Sequence, residues 1–294
     1  MRNEEIFDVA LSFDESLTPI EKKTLLQQYS SSERILKLGK GLLKNILGRK
    51  WTGNRFDPEK FIANAQDIRN YIERSGIGIL RFDNPDYPEG LKHIPDPPYL
   101  IYYRGNIEFD YQMSIAVVGT RKPNETGLER TKDFTGYFVK NGITVISGLA
   151  EGIDSQAHKT CVENNGKTIA VFGAGIDRIY PAENKELGKA ILDNGGGFIS
   201  EYPPGVESQR WYFPRRNRII VGLSRGVLIT QSPERSGSII SAMLAADYNR
   251  DLFVVSCWDS TDEKDNGNRM LVLTGGKEVK NPDEIVNDYY YMNV

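Results

Sequence analysis

"SIAVVGTRKPNETG", residues 114–127, decides how the chain is read. Ile115, Val117 and Val118 make "SIAVV" apolar on both faces, and a strand without a polar face belongs in a sheet covered on both sides. The glycine-bearing turn after it leads into a helical pattern over 127–140. The cycle then repeats. "ITVISG" (143–148) precedes a helix after Asp154, and "TIAVFG" (168–173) a helix over 184–193. "GFISEY" (197–202) precedes a helix from about Pro214, "GVLITQ" (226–231) a helix over 236–249, and "DLFVVSC" (251–257) closes the series. Six strands alternating with helices predict the α/β class: a Rossmann-like, doubly wound, mainly parallel sheet over 113–281.

Outside this block the pattern changes. Residues 1–75 read as a small N-terminal all-helical domain. In "LTPIEKKTLLQQY" Thr18 is the expected N-cap and Pro19 the first helical residue, and "DPEKFIANAQDIRNYIERSG" starts at Asp57-Pro58 and ends at Gly76. "LGKGLL" (38–43) fits either the glycine hairpin of a DNA-binding helix-hairpin-helix or a turn in a bundle packed against its neighbour. Residues 76–112 form a proline-rich, extended entry segment with short strands, and 282–294 a tail too short for another domain.

The chain has 294 residues with 37 Lys+Arg against 40 Asp+Glu, a formal charge of −3. Bulk charge thus favours no polyanion, and any anion site is a local patch. Cys161 and Cys257 are too few for a disulfide framework or a zinc site, which fits a reducing cytoplasm. The acidic N-terminus lacks a secretory apolar run, and no stretch approaches the roughly 20 apolar residues of a membrane span. A soluble cytoplasmic protein with no membrane partner is expected.

In an open parallel sheet the ligand site lies beyond the carboxyl ends of the strands. The loops there are "GTRKPNETG", "SGLAEGIDSQAH", "GAGIDRIYPAEN", "SEYPPGVESQRWYFPRRN" and "QSPERSGS". Glycine, hydroxyl side chains and arginine ahead of helix N-termini are the ingredients of a backbone anion site. None carries the full dinucleotide fingerprint or a ribose-binding carboxylate, and "RSGS" is no P-loop, so no cofactor is expected. Catalytic groups are scarce. His158 fits a structural hydrogen bond, His93 has no evident partner, and Asp154, Ser236 and Ser238 fit helix caps. Glu201 is the best carboxylate candidate, equally suited to pairing with an arginine. No metal-type cluster is evident. The chemistry reads as binding, not turnover.

Within "FPRRNRIIVGLSR" (213–225), Arg215, Arg218 and Arg225 recur at helical spacing beside an apolar stripe of Ile219, Ile220 and Leu223. Arg210, Trp211, Tyr212 and Phe213 precede them. Two readings stand. Guanidinium groups take phosphates of a single strand while rings stack on its bases, at about 1–3 kcal/mol per base. Alternatively, Trp211 and Phe213 anchor the core, and arginines pair with Glu201 or Glu234.

Taken in order, "VVGTRKPNETG", "ISGLAEGIDSQAH", "GKTIAVFGAGIDRIYPAEN", "SEYPPG", "FPRRNRIIVGLS" and "SGSIISAMLAADYNRDLFVV" resemble the DNA-processing protein A (DprA/Smf) family. The upstream "DNPDYPEGLKHIPDPPYLIYYRGN" resembles that family's entry segment, and the likeness runs from about Gly76 to Lys280. The N-terminal helices fit its sterile-alpha-motif-like domain more loosely. The resemblance implies a cytoplasmic protein that binds and protects single-stranded DNA and loads a RecA-type recombinase, as in natural transformation. It also implies a homodimer formed through the Rossmann-like domain. Carried over by position, its DNA pocket comprises Gly119, Thr120, Arg121, Ser147, Gly148, Arg210, Phe213, Arg216, Asn217, Arg218, Ser236, Gly237 and Ser238. Arg121 is then the foremost phosphate contact and Phe213 the base-stacking ring.

Three departures stand out. Gln231 occupies a position where the family usually has glutamate. "SCWDSTDEKDNGNRMLV" (256–272) replaces a proline-glycine turn, which bears on the dimer surface. The C-terminal winged helix of many members is not expected in this chain. The alternative reading is a nucleotide-processing hydrolase of the lysine-decarboxylase-like Rossmann family. Its "PGGxGTxxE" motif places a catalytic glutamate on the helix after the glycine loop, and "RSGSIISA" has none.

Overall fold

The computed structural model describes residues 3–291. The elements follow the chain as α1 (Asn3–Ser12), α2 (Pro19–Tyr29), α3 (Ser32–Leu36), α4 (Lys40–Leu47), α5 (Pro58–Arg74), β1 (Gly78–Arg81), α6 (Glu89–Lys92) and β2 (Leu100–Gly105). Then come β3 (Ser114–Val118), α7 (Glu125–Lys140), β4 (Thr144–Ser147), α8 (Ile153–Glu163), β5 (Thr168–Gly175), α9 (Lys185–Asp193) and β6 (Gly197–Tyr202). The chain continues through α10 (Tyr212–Gly222), β7 (Gly226–Ile229), α11 (Gly237–Asp247), β8 (Asp251–Val255), α12 (Asn266–Leu273), β9 (Lys277–Val279) and α13 (Asp283–Tyr291).

The six expected strands are β3 to β8, within a nine-stranded sheet of order β1-β2-β6-β5-β4-β3-β7-β8-β9. From β6 to β9 the pairing is parallel; β1 and β2 extend the edge antiparallel. The short strands expected in 76–112 are β1 and β2, which join the sheet at its edge. Three-residue β9 had too short an apolar run to register in the sequence.

Alternation along each strand sorts the core into faces. Ala116, Val118, Ile146, Val227, Ile229 and Val254 point to one side, with Ile219 and Ile220 of α10, Leu223 just after it, Ala242 and Ala245 of α11 and Leu271 of α12. Ile115, Val117, Val145, Leu228 and Phe253 point to the other, against Phe134 and Phe138 of α7, Cys161 of α8 and Tyr289 of α13. This is the two-sided cover that strands without a polar face require. The N-terminal helices share one apolar cluster with the sheet edge: Val9, Leu25, Ile35 and Phe61 join Tyr102, Phe172 and Phe198. The α2 start carries the anticipated cap. Thr18 accepts from the Glu21 N–H, Glu21 reaches back to the Thr18 N–H at 2.7 Å, and Pro19 follows.

Chain order reverses between β3 and β7: β4, β5 and β6 follow on one side, β8 and β9 on the other. Such a switch opens a crevice at the carboxyl edge. Here the Thr120 N–H donates to the Gln231 carbonyl at 2.8 Å, tying the two loop starts together.

Candidate nucleic-acid interface

A cleft of about 800 Å³ opens at this switch point. Its walls come from the loops after β3 and β7, the start of α8, the approach to α10 and the N-terminus of α11. Six basic side chains line it, Arg121, Lys122, Arg210, Arg216, Arg235 and Lys264, against the single carboxylate of Asp154. A chain of net charge −3 thus concentrates positive charge where the fold focuses it.

Arg121 is exposed on the loop before α7, its guanidinium carbon 5.3 Å from the centroid of the half-buried Phe213 ring. Tyr180, from the loop after β5, lies beside Phe213 with ring centroids 5.4 Å apart and is 51% exposed. Two rings and a guanidinium therefore sit together, the combination that holds an unstacked base and its phosphate.

The N-terminus of α11 faces the same cleft. Ser236 caps the helix through its Oγ, which lies 2.8 Å from the Ser238 Oγ, while Ser238 is also 2.8 Å from the Ser232 Oγ. A Cβ at Gly237 would meet nothing within 4 Å, so an anion can approach the first backbone N–H groups. Capping and anion binding are compatible here, because several N–H groups of the first turn have no intrahelical acceptor.

Arg216 forms the floor. It is 4% exposed and donates from Nη1 to the Gly148 carbonyl at 2.7 Å and to the Val171 carbonyl. Burial pushes its guanidinium down to about 10, with the Asp154 carboxylate opposing. A Cβ at Gly148 would stand 2.4 Å from that guanidinium, which explains the glycine. Asp154 does not cap α8; Gly152 occupies the N-cap position. Its carboxylate instead accepts from the Gly148 N–H at 3.2 Å, and burial raises its pKa against the pull of Arg216.

Ten of the thirteen carried-over residues line the cleft: Gly119, Thr120, Arg121, Arg210, Phe213, Arg216, Asn217, Ser236, Gly237 and Ser238. Three do not. Ser147 is fully buried and donates to the Val117 carbonyl, and Gly148 lies under Arg216. Arg218 is 3% exposed, with Glu201 at 2.6 Å and Asp96 at 3.1 Å, so its charge is spent inside the protein. Glu201 also pairs with Arg215 at 3.3 Å. The stripe of Arg215 and Arg218 is thus the carboxylate-paired face of α10: of the two readings, pairing with Glu201 holds for these two arginines, and Asp96 is a second partner of Arg218. Arg225 stacks on Tyr289 with its guanidinium carbon 4.3 Å from the ring centroid.

Among the aromatics, Tyr212 is the anchor: it is 5% exposed and stacks on Tyr202 at 3.9 Å. Trp211 is 62% exposed, edge-on to Tyr212 with ring centroids 5.8 Å apart, and lies outside the core. His158 is buried, Nδ1 2.8 Å from the Thr168 Oγ1, the structural role its position suggested. Tyr180, Arg235, Lys122 and Lys264 were not singled out from the sequence. The first three stand in loops already assigned to the ligand edge. Lys264 comes from the segment 256–272, which the sequence tied to the dimer surface and not to the ligand edge.

A family model for DNA recombination-mediator protein A matches residues 78–290. The chain belongs to that family. Protein Smf of Synechocystis is 35% identical over 94% of this chain and 70% of its own length. DNA processing protein DprA of Streptococcus pneumoniae is 37% identical over 70% of this chain and 72% of the relative. The X-ray structure of DprA from Streptococcus pneumoniae superposes with a TM-score of 0.77 at 30% identity, covering 98% of both chains. DprA from Helicobacter pylori, solved to explain its single-stranded DNA binding mode, aligns with a TM-score of 0.65 at 29% identity over 73% of this chain and 96% of that one. The motif resemblance and the Rossmann-like class agree with these findings. Among the described residues, no helix is long and apolar enough to cross a membrane, and no group of His, Cys, Asp and Glu could hold a metal ion.

Proposed function

We propose that this chain binds single-stranded DNA in the switch-point cleft, protects it in the cytoplasm and passes it to a RecA-type recombinase, as a homodimer without catalytic turnover. The observation that carries the reading is the Arg121–Phe213–Tyr180 cluster beside the α11 N-terminus. A duplex keeps its bases stacked and needs no rings in a cleft; a single strand offers both a phosphate for Arg121 and a base face for Phe213. The Helicobacter pylori relative's described binding mode supports the same substrate class. Recombinase loading and dimerisation rest on family membership, with exposed Met243 and Leu273 available to a second copy.

The test is titration of a fluorescent oligothymidylate across a salt series. Binding should weaken with salt, and Arg121→Ala should weaken it further while lowering the slope of log K against log salt by about 0.7, one released counterion on a single strand. A folded Arg121→Ala protein with unchanged affinity and slope would overturn the assignment. The hydrolase reading keeps one supporting observation, a buried carboxylate, Asp154, in the cleft with its pKa raised by burial. Nucleoside-monophosphate turnover abolished by Asp154→Asn would establish it.

A further inference from the structure

The loop between β8 and α12 walls the cleft through Lys264. Its anchoring is dense. Gln231 Nε2 and Arg130 Nη1 both donate to Asp265 Oδ1, at 3.0 and 3.3 Å. Asn124 Nδ2 donates to Asp262 Oδ2 at 2.6 Å, and Arg269 Nη1 to the Ser260 carbonyl at 2.8 Å. Asp262 in turn accepts the Lys264 N–H at 2.8 Å, capping a single helical turn over Glu263–Asp265. The backbone of Lys264 is therefore held from both sides, and its half-buried side chain lines the cleft.

The residue at 231 makes this arrangement possible. Asp265 Oδ1 takes its hydrogen bond from an amide N–H, which a glutamate at 231 cannot supply. A glutamate would instead set two carboxylates against each other. Gln231 and the loop are thus one device. A lysine ammonium is a point charge on a flexible stem, suited to a backbone phosphate whose exact position varies with sequence.

We propose that Lys264 contacts the DNA backbone in the cleft, with Gln231 and Asp265 as positioning residues that hold its turn there. This rests on the single-stranded DNA reading. With oligothymidylate over a salt series, Lys264→Ala should bind several-fold more weakly and lose about 0.7 from the salt slope. Lys264→Arg should keep the slope. Lys140→Ala, the same charge change at the far end of α7, should leave both quantities unchanged. Gln231→Ala, confirmed folded by its thermal melt, should lower the slope toward that of Lys264→Ala although the lysine remains.

A Lys264→Ala protein with the parent's affinity and slope would overturn the contact. Retention of the full slope by folded Gln231→Ala would overturn the positioning role. Absence of any binding by the unaltered chain would instead bring down the single-stranded DNA reading and this proposal with it.

Discussion

Gln231 and Asp265 meet side chain to side chain inside the protein, amide Nε2 to carboxylate Oδ1 at 3.0 Å, at 0% and 1% exposure. The same Gln231 accepts the Asn124 N–H at 3.0 Å through Oε1, so its amide joins the loop after β3 to the loop after β8. One buried side chain thereby ties together two loops that contribute to the cleft wall.

Gln231→Glu should destabilise the fold by about 1–3 kcal/mol, the cost of an uncompensated buried polar group. Two carboxylates sharing a site raise the pKa of one of them above its unfolded value. The penalty is then full above that raised pKa and vanishes below the unfolded one, so urea unfolding should show a smaller deficit at about pH 5 than at neutral pH. An equal deficit at both would contradict the carboxylate clash.

Phe213→Ala should reduce oligothymidylate affinity by about 1–3 kcal/mol with nearly unchanged salt slope, because a lost stacking platform releases no counterion. Tyr180→Ala should act in the same direction. If Phe213→Ala changed the slope as much as Arg121→Ala does, the ring would be holding the arginine rather than a base.

Arg218→Ala is expected to act on folding. Removing Arg218 leaves the buried Glu201 with Arg215 as its cation and the 39%-exposed Asp96 to water, at a cost of about 1–3 kcal/mol. The protein that remains folded should bind with the parent's salt slope. A lowered slope with undiminished stability would return Arg218 to the DNA interface.

His158 ties stability to pH. Burial, reinforced by Arg216, pushes its imidazole down to about 3 from an unfolded value of 6.5. The unfolded state then binds more protons below the latter value, so stability is full above it and falls as pH drops toward the former. His158→Gln should flatten the stability profile between about pH 6.5 and pH 5, above the carboxylate range. Chemical denaturation at a series of pH values reads this directly.

The alternation of the sheet was legible because its causes are local. Val117, Val145 and Val227 are β-branched residues in short runs, and the glycines and prolines between them mark the turns. The ligand edge followed, since parallel strands joined by helices bring the same ends together. The α10 arginines show where that reasoning stops. Residues 216 and 218 lie about 200° apart on a helix, so they point to opposite sides. Local sequence says nothing of which side meets Glu201 and Asp96 and which meets the cleft.

The amino-acid sequence by itself determined the alternating strands and helices, the edge that carries the site, and the family. Periodicity and turn chemistry act over a few residues and need no distant partner. The tertiary structure alone decided that Arg216 floors the cleft while Arg218 is neutralised, that Tyr180 joins Phe213, and that Lys264 arrives from beyond β8. Each outcome depends on a partner tens of residues away, placed only once the sheet has assembled.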